Sequence, residues 1–135
     1  MRAKLTIFLF LIFSIKGFST QILIPMGNGE QKNHLKAYGI AFWTLGKDVS
    51  IEWLLNYRGG SFLMPHIKSI EEECIIRGVT YQILTESKVN QIRTDISSPS
   101  VNQEIVKLEK VPKIAVYTPE GKQPWDDAVT IVLEY

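Results

Sequence analysis

The chain has 135 residues and a formal net charge of +1, and is 45% hydrophobic, 21% charged and 10% aromatic. Those proportions belong to one globular domain with a real core and exclude a disordered tail. The near-neutral balance excludes a strongly basic protein, so no concentrated positive face for nucleic acid or an anionic membrane is expected.

Arg2 and Lys4 precede the apolar run Leu5–Ile15, and small residues follow at Gly17 and Ser19. This is the pattern of a secretory signal peptide over residues 1–19, cut after Ser19. The run is shorter than the ~20 residues that span a bilayer, so cleavage is favoured over a transmembrane anchor. The mature protein, residues 20–135, is therefore expected to be exported, periplasmic or extracellular, with no stable membrane span. Cleavage removes Arg2, Lys4 and Lys16 and no acid, leaving 12 basic against 14 acidic residues, formally −2. Cys74 is the one cysteine, and the two histidines, His34 and His66, do not stand at ligand spacing from it. Neither an intrachain disulfide nor a metal site is expected, and no cofactor is implied.

Gln21–Pro25 reads as a buried first strand ending at proline, followed by a turn at Gly27-Asn28-Gly29. From Gln31 the spacing predicts a helix whose buried stripe is Leu35, Tyr38, Phe42 and Leu45, closed at Gly46. Phe42 and Trp43 are adjacent near its end, which implies that more than one face is covered. Val49–Leu55 reads as a second strand, broken at Tyr57–Ser61 because paired glycines are costly inside a strand. Ser69–Arg77 reads as a helix with Ile67, Ile70 and Cys74 inward, Glu71–Glu73 at its positive end and Gly78 as its stop.

Val79–Leu84 is β-branched and aromatic, a third strand. Residues 86–110 read as two short helices, Ser87–Ile96 and Val101–Glu109. Lys113–Tyr117 is the clearest strand pattern, and Pro124-Trp125-Asp126-Asp127 has the composition of a helix start. Strict alternation of strand and helix predicts an α/β fold: an open, mostly parallel sheet with helices on both faces. Its last helix stops two turns in, so the domain is expected to be incomplete at the C-terminus.

Arg58-Gly59-Gly60-Ser61 is the leading ligand-binding candidate. Ligands sit at strand ends in parallel sheets, glycines let backbone N–H groups approach an anion, Arg58 could pair with a carboxylate or phosphate, and Ser61 adds a donor. The competing reading is a tight turn, since neither a Lys-Ser/Thr pair nor GxGxxG spacing is present. The loop Thr118–Asp127 also leads into a helix start, but Glu120, Asp126 and Asp127 make it acidic, which disfavours anions. Cys74 stands behind three glutamates, a poor setting for a thiolate nucleophile, and neither histidine has a partner visible in the sequence.

The segments ILIPM, NHLKAYGIAFWTL, EWLLNYRGGSFLM and KIAVYTPEGKQPWDDAV resemble the N-terminal part of a family of secreted bacterial proteins labelled asparagine synthetase B. The resemblance implies a flavodoxin-like, class I glutamine amidotransferase-like fold and an exported location. It implies no catalytic residue here: Arg2 stands where such a synthetase has its nucleophilic Cys, and Arg58–Phe62 matches only the glycines of its ATP-binding motif. The expected function is binding or scaffolding, for an unknown small-molecule or protein ligand, by an exported chain without a complete catalytic set. The alternative is amide-nitrogen transfer or hydrolysis with the active site beyond Tyr135.

Overall fold

A computed structural model describes residues 19–113. In chain order the elements are β1 (Thr20–Ile24), α1 (His34–Leu45), β2 (Ile51–Leu55), β3 (Ser61–Pro65), α2 (Lys68–Arg77), β4 (Gln82–Thr85), α3 (Glu86–Ile96) and β5 (Glu104–Leu108). The strands form one sheet in the order β4-β1-β3-β2-β5, and every neighbouring pair is antiparallel. The open, mostly parallel, flavodoxin-like or amidotransferase-like sheet expected from the sequence is therefore incorrect for these residues.

The error begins at Ser61–Pro65. This strand follows Ile51–Leu55 after a five-residue turn, so two consecutive strands form a hairpin where strict alternation had required one strand and a loop. The turn is possible because Asn56, Arg58, Gly59 and Gly60 all take positive φ, which reverses the chain within a few residues. The first six elements then run β-α-β-β-α-β, with β3 between β1 and β2, and β1 between β3 and β4. That is the ferredoxin-like, double split βαβ connectivity. The second helix expected at Val101–Glu109 is also corrected. Glu104–Leu108 is extended and pairs with β2 along its length.

Side chains alternate between two buried faces. Ile22 and Ile24 of β1 and Phe62 and Met64 of β3 face α1 and α2, packing with Ala37, Ile40, Ile70 and Cys74. Leu23, Leu63 and Leu54 face the other way and are covered by Val89, Ile92 and Ile96 of α3. β1 and β3 are thus apolar on both sides, which is why QILIP and SFLM read as continuous runs instead of alternating ones. Each fully buried Ile or Leu here contributes about 2–3 kcal/mol of transfer free energy. Arg93 of α3 reaches Glu52 on β2, with Nη2 2.8 Å from Oε1 and Nε 3.2 Å from Oε2, fixing the helix across the sheet.

The helices also settle one finer point. α1 buries Ala37, Ile40, Ala41, Thr44 and Leu45, whereas Leu35, Tyr38 and Phe42 are 87%, 47% and 50% exposed. Three of the four residues expected in its buried stripe are therefore on the outside. α2 follows the expected pattern at Ile70 and Cys74, and Gly78 ends it in the left-handed conformation. Residues 1–18 of the signal peptide expected over 1–19, most of the strand expected at Lys113–Tyr117 and the helix start expected at Pro124 lie outside the described residues. Among those described, no helix is long and apolar enough to cross a membrane.

The hairpin depends on Gly59. A Cβ there would lie 2.5 Å from the Met26 carbonyl oxygen and 2.7 Å from the Gly27 nitrogen, at a φ of +80°. At Gly29, φ is +90° but a Cβ meets nothing within 4 Å. Gly29→Ala is thus expected to cost about 1–2 kcal/mol of backbone strain, and Gly59→Ala about 2 kcal/mol more because backbone must move. Urea denaturation of the two variants checks the difference; equal losses would remove the close contact from the account.

Candidate functional site

The loops after β1, between β2 and β3, and before β4 meet at one end of the sheet, and this is where Arg58–Ser61 lies. Met26 N donates to the Arg58 carbonyl at 3.0 Å, binding the first loop to the hairpin. The Arg58 guanidinium is engaged by Glu30 through Nε, at 3.1 and 3.0 Å from its two oxygens, and through Nη2. Nη1 donates to Gln82 Oε1 at 3.1 Å. This hydrogen bonding holds the Glu30 carboxyl below the usual carboxylate range and raises Arg58. Ser61 is fully buried, and its hydroxyl lies 3.0 Å from the Tyr57 carbonyl and 3.3 Å from that of Arg58. The four candidate residues are therefore together, but the cation faces a carboxylate of its own chain and the hydroxyl closes the turn.

Gln31 supports this end from within. Its side chain is buried and bonds the Pro25 and Thr80 carbonyls through Nε2, and accepts from Asn33 N and Thr80 N at Oε1. His34 Nε2 lies 3.1 Å from the Met26 carbonyl. Thr80 lies 49 positions from Gln31, and nothing in local spacing announces that pairing.

Between the start of β1 and α2 the structure joins residues that sequence reasoning left separate, with Tyr81 reaching them from the segment before β4. Thr20 Oγ1 is 2.9 Å from His66 Nδ1, His66 Nε2 is 2.7 Å from Glu71 Oε2, and the Tyr81 hydroxyl donates to Glu71 Oε1 at 3.0 Å. With Glu71 ionised, His66 Nε2 carries the proton it donates, so in the neutral ring Nδ1 accepts from the Thr20 hydroxyl. A hydroxyl, an imidazole and a carboxylate in line can relay a proton. Here the chain also ties β1, the β3–α2 connection, α2 and the segment before β4. Glu71 thus does more than place charge at the positive end of α2, and Glu73 pairs with Arg77 at 2.7 Å.

The hydrogen bond from His66, and then that from Tyr81, hold Glu71 below its ordinary 4.5. A lowered folded value means that ionised Glu71 stabilises the fold, fully above about pH 4.5 and progressively less as pH falls through the lowered value. Glu71→Gln is therefore expected to be less stable than the parent at pH 5, with the gap closing on further acidification. A gap independent of pH between 5 and 2 would count against the network.

Cys74 is wholly buried in α2, and burial, then the charges of Glu71 and Glu73, push its thiol up to about 11. At pH 8 roughly one molecule in a thousand would carry the thiolate. A disulfide reagent is expected to label native protein at least a hundredfold more slowly than urea-unfolded protein; labelling at similar rates would show an accessible thiol.

A third feature lies beside α1. On the face that carries α1 and α2, a groove of about 410 Å³ opens between α1 and the β2–β5 margin. Its walls are Tyr38 and Phe42 of α1, Trp53 and Leu108 of the sheet, Phe62 and Pro112, almost entirely carbon. Trp53 stacks on Phe62 at 6.1 Å and 22°, and Tyr38 meets Phe62 edge-on at 5.5 Å and 78°. The Trp53 Nε1–H donates to the Gly60 carbonyl at 3.0 Å, so the glycine turn orients one wall of the groove. Among the described residues no group of three or more His, Cys, Asp or Glu could hold a metal ion. No family model, curated protein or solved structure matches the chain.

Proposed function

We propose that this is an exported binding or scaffolding domain that holds an apolar polypeptide segment in the groove between α1 and the β2–β5 margin. The observation that carries the reading is the second apolar face of α1. Ala37, Ile40, Ala41 and Leu45 already complete the core, yet Tyr38 and Phe42 stand half-exposed beside Trp53. Contiguous aromatic surface of this kind, left over after a core is complete, marks an interaction site.

The chemistry of the lining favours polypeptide over a small molecule. Small-ligand pockets orient their ligand with a few placed polar groups, and this groove offers almost none. Arg58 and its glycines serve the groove indirectly, through the Trp53–Gly60 hydrogen bond. Export is supported by the basic, apolar and small-residue succession over residues 1–19.

Both parts can be tested on the full chain expressed with its leader. A photocrosslinking phenylalanine analogue at position 42 is expected to give adducts with polypeptide, mapped by mass spectrometry either to this chain or to another copy of it. The mature chain is expected outside the cytoplasm, starting at Thr20. Irradiation that yields no peptide adduct would remove the docking function, and a cytoplasmic chain retaining residues 1–19 would remove export.

A further inference from the structure

Resting on that docking reading, we infer that the occupant of the groove is the chain's own segment Ile114–Tyr117, IAVY, which lies outside the described residues. The path of the backbone is the first reason. β5 ends at Leu108, a groove wall, Val111 packs against the core, and Pro112 is itself a groove wall. The polypeptide is thus already on the rim two residues before the segment begins. Five further residues extend at most about 17 Å, and the α1 wall from Tyr38 to Phe42 is about 6 Å long at 1.5 Å per residue.

The composition of the segment is the second reason. Ile114, Ala115 and Val116 are wholly apolar, and Tyr117 adds one hydroxyl to an aromatic ring that can lie on Phe42 or Trp53 while its end stays wet. Lys113, just before, is exposed and keeps the charge off the groove. In extended form Ile114 and Val116 share one face, enough to cover a strip of aromatic wall.

The third reason is thermodynamic. A tethered segment acts at millimolar effective concentration, whereas a second copy must overcome the full association entropy. A stable dimer ordinarily needs more than about 1,000 Å² of buried surface. A groove lined by nine residues suits a short tethered strand better than a subunit interface.

The decisive experiment uses the full mature chain with Cys74→Ala, so that introduced cysteines are alone. Phe42→Cys is combined in turn with Ile114→Cys and Val116→Cys and treated with a short bismaleimide at low micromolar protein. Intrachain crosslinking in more than half the molecules, unchanged by tenfold dilution, is expected for at least one pair. In parallel, Val116→Asp is expected to raise hydrogen exchange over residues 38–42 and dye binding at least fivefold, with the circular dichroism of the sheet retained. Crosslinks that form only between chains, with Val116→Asp leaving exchange over residues 38–42 unchanged, would overturn the assignment to IAVY while leaving the docking function intact with a second copy as occupant. Absence of both crosslinks and of any exchange response would overturn it as well, and the photocrosslink at position 42 then decides separately whether the docking function survives.

Discussion

The chain reversal at Asn56–Gly60 is the constraint on which the rest of this structure depends. Four residues in a row of five hold positive φ, two of them glycines, and Gly59 lies so close to the Met26 backbone that no side chain fits between them. The reversal lays Ser61–Pro65 back along Ile51–Leu55, and the same strand then meets β1 on its other side in the register Ile22↔Met64 and Ile24↔Phe62. Once β3 is antiparallel to both neighbours, α1 must carry the chain across β3 to β2, and α2 must carry it across β1 to β4. Arg58 is a non-glycine held in the left-handed region in this turn, at φ 45°. Its carbonyl bond from Met26 and its fork to Glu30 and Gln82 offset that strain.

Much of the fold was legible because local signals and tertiary packing agree. β1, α2 with its glycine stop, and α3 all lie close to where spacing and punctuation put them. The failures came where a local signal had two physical causes. Arg58-Gly59-Gly60-Ser61 resembles a ligand loop at the end of a parallel strand and equally a hairpin turn, and the choice depends on whether SFLMP pairs as a strand. Pro65 at its end and the absence of alternation concealed that, although a strand between two others is apolar on both sides for sound reasons. EIVKL at residues 104–108 was similarly ambiguous, and pairing with β2 decided it.

The candidate site was legible in place and not in role. Sequence put chemistry at Arg58, and the residue does sit where three loops converge. Its guanidinium, however, is matched by Glu30, 28 positions away, and only tertiary structure reveals that partner. The Thr20–His66–Glu71–Tyr81 chain was illegible for the same reason, since its members come from four separate segments. The periodicity of α1 misled more instructively. Large apolar residues at 35, 38 and 42 looked like the buried stripe, yet the sheet takes the face with Ala37, Ile40 and Ala41, where small side chains let the helix approach closely.

That inversion carries the functional argument further than any charged residue here. A helix that uses its small residues for its own sheet and presents aromatic ones beside an open margin has two packing surfaces, one of which is occupied within the described residues. Leaving Tyr38, Phe42 and Trp53 in water costs transfer free energy that burial would recover, on the order of 25 cal/mol for each Å² covered. Half-exposed aromatics gathered along one groove also invite promiscuous association. The glycine turn bears on this surface as well as on topology, because Gly60 accepts the indole N–H of Trp53 and leaves the ring's apolar faces for packing. The hydrogen bond satisfies the one polar atom Trp53 has to offer, so what remains of its ring is hydrophobic area whose natural complement is another apolar segment.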